Sequence, residues 1–124
     1  MTLPDLIKRL EEARSGSFEL DCAIHKAVRR ADYERLGLVM PEYGPPYTVS
    51  LDAALTLVPE GWDWDVRNYR DWDVQGYRDR AAALVVKRYE AGQPQPNPPG
   101  YDGHGAAPAL ALVIAALKAR EAAR

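Results

Sequence analysis

The chain has 124 residues, 47% hydrophobic and 27% charged, with 16 Lys and Arg against 18 Asp and Glu for a formal net charge of −2. A chain of this length builds one core that buries roughly 65–70% of its unfolded surface, and the composition excludes a disordered or collagen-like polymer. The near-neutral balance gives no whole-protein field for DNA or anionic lipid, so nucleic acid is not an expected partner.

Leu3, Leu6, Ile7 and Leu10 recur at helical spacing, Pro4 fits a first turn, and Thr2 with Asp5 has capping-box spacing, which predicts a helix that Gly16 stops. Ser17 is a second N-cap candidate, and Phe18, Cys22, Ile24, Ala27 and Val28 give a less regular apolar face to about Arg30. A helical hairpin over 3–30 follows. Gly37, Pro41, Gly44, Pro45 and Pro46 predict a loop over 37–47, leading to a short extended piece at Tyr47-Thr48-Val49 and a Ser50-capped helix over 51–57. Trp62, Trp64 and Val66 alternate with Asp63, Asp65 and Arg67, and the Ala81–Tyr89 run centres on Leu84-Val85-Val86, which predicts a β-meander over 61–89. The Gly- and Pro-rich stretch 90–105 reads as a loop. Leu110, Val113, Ile114 and Leu117, with Pro108 in the first turn and Lys118 and Arg120 near the end, predict a helix over 108–122 buried against a sheet.

Within the meander, residues 63–70 read DWDVRNYR and residues 71–78 read DWDVQGYR, six of eight positions being identical. An even period preserves strand parity, and Asn68 and Gly76 suit tight turns, so each copy reads as a short strand with its own turn. The expected strands are then about 61–67, 70–75 and 78–89. As a functional surface, the repeat offers Trp64, Tyr69, Trp72 and Tyr77 interleaved with Arg67, Arg70, Arg78 and Arg80, side chains that stack on rings and bases. The stronger reading is a duplicated hairpin whose tryptophans fill the core and whose Asp and Arg residues pair on the wet face. Six acids and four bases between Glu60 and Arg80 make a poor phosphate funnel.

Other chemistry is thinly signalled. Asp63-x-Asp65 and Asp71-x-Asp73 could bridge a divalent cation, but any acidic strand with one exposed face produces this spacing, and no Gly-rich calcium loop follows. Cys22 and His25 share a helix face, which reads as a buried Cys beside a surface His rather than a nucleophile with its base. His104, in Gly103-His104-Gly105 ahead of the final helix, is the most site-like single residue, placed where a loop beside free N–H groups could hold an anion. No phosphate-binding, dinucleotide or nucleophile-elbow motif is present. No catalytic residue, metal site or cofactor is expected. The longest strongly apolar stretch, Ala106–Leu117, is too short for the ~20 residues that span a bilayer, and the acidic opening residues Asp5, Glu11 and Glu12 do not suit a secretory signal.

Three blocks, SFELDCAIHKAV (17–28), PYTVSLDAALTLVPEGWDW (46–64) and GAAPALALVIAALKAR (105–120), together resemble small phage and prophage proteins of proteobacteria related to the phage αβα-sandwich domain. The resemblance implies an α+β fold with a small antiparallel sheet covered by helices, and it brings no catalytic residues. Where that group usually has Ala-Thr-Pro before the last helix, this chain has Ala107.

The expected protein is therefore a single α+β domain, with an antiparallel sheet of about three strands packed by an N-terminal helical hairpin and a C-terminal helix. Its expected role is non-enzymatic: a phage or prophage accessory protein in the bacterial cytoplasm that binds a host or defence-system protein, CRISPR inhibition being one form of this. The candidate binding residues are Trp64, Arg67, Tyr69, Arg70, Trp72, Tyr77, Arg78 and His104. A nucleotide-signal sponge is the alternative, a metal-dependent nuclease or phosphatase a weaker third, and a homodimer is compatible with the sequence.

Overall fold

A computed structural model of the chain describes residues 2–39, 41, 44–73, 76–88 and 100–122, with the side chains of 71–79 outside the description. The order is α1 (Leu3–Glu12), α2 (Phe18–Leu36), α3 (Leu51–Leu55), β1 (Trp62–Asp73), β2 (Gly76–Lys87), β3 (Gly100–Gly105) and α4 (Pro108–Ala122). The strands form one antiparallel sheet in the order β1-β2-β3. The fold is α+β.

The helices start where the sequence caps them. Thr2 and Asp5 close a reciprocal capping box on α1, the Ser17 hydroxyl accepts from Leu20 N–H on α2, and the Ser50 hydroxyl accepts from Ala53 N–H on α3. α2 runs six residues past the expected end near Arg30 and stops at Gly37, whose φ of 68° supplies a left-handed cap. Its added turns carry no apolar stripe and lie in solvent, tied by Arg29–Asp32, Arg30–Glu34 and Arg35–Asp32 pairs. The expected extended piece at Tyr47-Thr48-Val49 is instead a turn, with Ser50 N–H donating to the Pro46 carbonyl.

The sheet differs from the expected meander in two places. The first expected turn, at Arg67-Asn68, does not form: Asn68 pairs with Ala81 inside a ladder that runs unbroken from Trp62↔Lys87 to Asp73↔Gly76. The first repeat copy thus lies wholly in β1, and the second is divided: Asp71–Asp73 continue β1 in the same parity, and Gly76–Arg78 open β2. The third strand comes from the end of the expected loop: Gly100–Gly105 pairs with Ala81–Val86. The β1–β2 ladder therefore extends beyond β3.

α4 lies at the centre of the molecule. Every residue from Ala109 to Leu117 is buried, and the helix packs on β3 and β2 on one side and on α1 and α3 on the other. A helix apolar all round its circumference needs two such layers. The close approach to the sheet rests on small residues. A Cβ on Gly103 would overlap the Ala111 carbonyl oxygen and stand 2.7 Å from the Ala115 nitrogen, so only glycine fits there. Opposite, Ala81, Ala83 and Val85 are buried. Tryptophan does not fill this layer, contrary to the core expectation: Trp62 is half-buried, its ring centroid 6.0 Å from that of Tyr101, while Trp64 remains 46% exposed. The helix covers β2 and β3 more than β1, which leaves Trp64 at the uncovered margin.

Candidate functional site: the open face of the sheet

Residues opposite one another in an antiparallel ladder point to the same side. Trp62, Trp64, Val66 and Asn68 therefore share the α4 side with Lys87, Val85, Ala83 and Ala81 and with Tyr101, Gly103 and Gly105. The other side presents Asp63, Asp65, Arg67 and Tyr69 from β1, Val86, Leu84, Ala82 and Arg80 from β2, and Asp102 and His104 from β3. All helix packing on the sheet among the described residues falls on the first side, so this second face is open.

The open face has an apolar middle, with Leu84 43% exposed beside Val86 and Ala82, flanked by polar rows. On the β1 side Arg67 Nε donates to Asp65 Oδ2 at 3.0 Å, and Arg88 donates to Asp63. Across the sheet, the Tyr69 hydroxyl lies 3.2 Å from His104 Nδ1, and His104 Nε2 lies 3.1 Å from Asp102 Oδ2. The rings of Tyr69 and His104 meet edge to face. With its Nε2 proton held by Asp102, His104 presents Nδ1 as the acceptor for the tyrosine hydroxyl. Ala82 stands between Arg67 and His104 in the ladder, and its methyl leaves room for the tyrosine to reach over the central strand.

This arrangement divides the residues expected from sequence. Arg67, Tyr69 and His104 come together on the open face, and His104 sits within a strand rather than in a loop before α4. Trp64 and Arg70 have the opposite parity. Trp72 pairs with Tyr77 and Asp71 with Arg78 in the outer part of the ladder, and these side chains lie outside the described residues. Arg80, named in the sequence among the stacking cations of the repeat, also lies on the open face, whereas Asp102 and Leu84 are not among the candidate site residues. The signal that could have found Asp102 is the alternation in Gly100-Tyr101-Asp102-Gly103-His104-Gly105, hidden by three glycines.

The Asp63-x-Asp65 and Cys-His candidates have other partners, while the side chains of Asp71 and Asp73 lie outside the described residues. Asp63 and Asp65 each pair with a guanidinium, and no group of three or more His, Cys, Asp or Glu is placed to hold a metal ion among the described residues. His25, expected at the surface, is the buried member of its pair, whereas Cys22 is half-exposed in the groove between α1 and α2. His25 Nδ1 lies 2.9 Å from the buried Tyr47 hydroxyl, and beside them Asp21 Oδ1 accepts from both the backbone N–H and the hydroxyl of Thr48. Burial pushes His25 below the ordinary histidine value, with the Arg29 guanidinium adding to the effect, and burial raises Tyr47. This network ties the 44–48 segment to α2 and has a structural role.

Compared with protein-family models, with curated proteins and with solved structures, the chain finds no match in any of the three. Among the described residues no helix is long and apolar enough to cross a membrane.

Proposed function

We propose that this is a binding protein whose partner is another protein, docked on the open face of the sheet. The observation that carries the reading is the make-up of that face: an apolar middle of exposed Leu84 with half-buried Val86 and Ala82, within a rim of Asp63, Asp65, Arg67, Arg88, Asp102 and His104. Apolar centres with polar rims are the anatomy of protein–protein interfaces. A nucleic-acid platform would need a cationic surplus, whereas here two of the guanidiniums are matched by neighbouring carboxylates. The phage-type blocks of the sequence favour a host or defence-system protein as the partner, with an accessory or anti-defence role.

The test is capture of a partner from host lysate by crosslinking, its identification by mass spectrometry, and titration of the purified pair. Leu84→Arg is expected to weaken binding by about 2 kcal/mol or more, as loss of an interface hot spot does, with unchanged thermal stability. A partner held equally well by wild type and Leu84→Arg would refute the reading. A native mass spectrum showing a co-purified nucleotide, displaced by substitution at Arg67 or Tyr69, would replace it with the small-ligand alternative.

A further inference from the structure

The outer edge of β1 is the longest unpaired strand edge in the sheet among the described residues, and its hydrogen-bonding pattern can be read from one contact. Arg88 N–H donates to the Gly61 carbonyl at 2.8 Å, so Gly61 and Arg88 face each other with their backbone groups turned inward. In an antiparallel ladder this alternates. Asp63, Asp65, Arg67 and Tyr69 therefore direct their N–H and C=O groups to β2, and Trp64, Val66 and Asn68 direct theirs outward. The N–H of Trp62 is donated to the Pro59 carbonyl, which marks one end of the free edge.

We propose that this edge pairs with the same edge of a second copy of the chain, antiparallel about a two-fold axis at Val66, joining two three-stranded sheets into one of six strands. The proposal specifies a register. Val66 meets Val66 of the other copy once, on the axis, while Trp64 meets Asn68 and Asp65 meets Arg67, these two pairs each occurring twice by symmetry. Moving the axis to Asp65 or Arg67 sets a like-charged pair on the axis itself, and moving it to Trp64 sets Asp63 against Asp65. The Val66 register instead places opposite charges at both Asp65–Arg67 contacts.

Two further observations agree with this occupant. Trp64, half-exposed on the α4 side, gains a cross-strand neighbour in Asn68 of the other copy and a diagonal one in its Val66. The two-fold axis also puts both copies of α4 on the same face, and α4 lies mainly over β2 and β3, so the β1 margins can approach. Pairing of this kind protects an edge that would otherwise template open-ended association. The inference does not depend on the partner proposed for the open face.

Charge reversal tests both the surface and the register. Asp65→Arg alone places Arg against Arg, and Arg67→Asp alone places Asp against Asp, so each single variant is expected to weaken dimerisation by about tenfold or more. Analytical ultracentrifugation of an equimolar mixture of the two should show a heterodimer, because every contact is then matched. The double variant Asp65→Arg/Arg67→Asp should dimerise as wild type does. Both side chains are exposed and circular dichroism checks that each variant is folded. A wild type that stays monomeric at the highest attainable concentration would overturn the proposal. Single variants that dimerise like wild type, or a mixture and a double variant that remain monomeric, would overturn it equally.

Discussion

His25 Nδ1 and the Tyr47 hydroxyl are 2.9 Å apart in a site where both residues are buried. A neutral His25 accepts the tyrosine's hydrogen bond at Nδ1 while its Nε2 faces the Tyr33 hydroxyl at 3.4 Å. Its folded pKa lies below the ordinary 6.5, first because of burial and then because of Arg29. A depressed value means that the unfolded chain binds the proton more readily. The stabilisation from a neutral His25 is then complete above about pH 6.5 and is lost as the pH falls from there through the folded pKa. Thermal melts should show a falling midpoint between neutral and mildly acidic pH, and His25→Phe should flatten the dependence in that window while lowering the midpoint at pH 7.5. An equally steep variant profile would place the titrating group elsewhere.

The neighbouring Thr48 makes a second, separable prediction. Its hydroxyl donates to Asp21 Oδ1 at 2.7 Å and accepts from Ser17 N–H at 3.0 Å, in a buried position. Thr48→Val keeps the shape and removes both bonds. Urea denaturation should register a loss of roughly 1–3 kcal/mol, the cost of leaving buried polar groups unpaired.

Gly103 should be the least replaceable residue of β3. A Cβ there meets backbone atoms of α4, which cannot swing aside as a side chain can. Gly103→Ala is expected to cost about 1–3 kcal/mol through forced separation of helix and sheet. At Gly100 the nearest atom to an added Cβ is Val86 Cγ2 at 3.4 Å, an ordinary contact, so Gly100→Ala is the matched control and should fall within about 0.5 kcal/mol of wild type. Equal losses at the two positions would show that strand propensity, rather than the approach of α4, decides the matter.

The tryptophans can be separated by fluorescence in a Trp72→Phe background. Trp62, half-buried beside Tyr101, should emit to the blue and resist iodide, whereas Trp64 should account for the quenchable emission at monomeric concentrations. Trp64→Phe should therefore remove most of the iodide-sensitive signal, and Trp62→Phe little of it.

Much of the helical framework is legible from caps and apolar spacing: Thr2, Ser17 and Ser50 mark starts, and the stripe from Leu110 to Leu117 marks the centre. The extension of α2 to Leu36 is not legible by that rule, because those turns rest on ion pairs and not on a buried face. β3 is obscured for a different reason: the glycines that read as loop are there because a helix backbone lies against them. The candidate site is the least legible part. Tyr69 and His104 stand 35 residues apart and meet only through two ladder registers. Parity within the repeat does separate Arg67 and Tyr69 from Trp64 and Arg70, a division that a composition-based grouping of aromatic and basic residues misses.

The central position of α4 has a consequence during synthesis. The elements that bury their apolar faces against it, α1, α3 and all three strands, precede it in the chain. Until α4 clears the ribosome, Leu6, Leu10, Leu57 and Val85 have nothing to close over them, and the β1–β2 hairpin waits with one side uncovered. Folding of this domain should accordingly be a single late event rather than a stepwise one, and nascent chains stalled before residue 108 should remain sensitive to protease throughout.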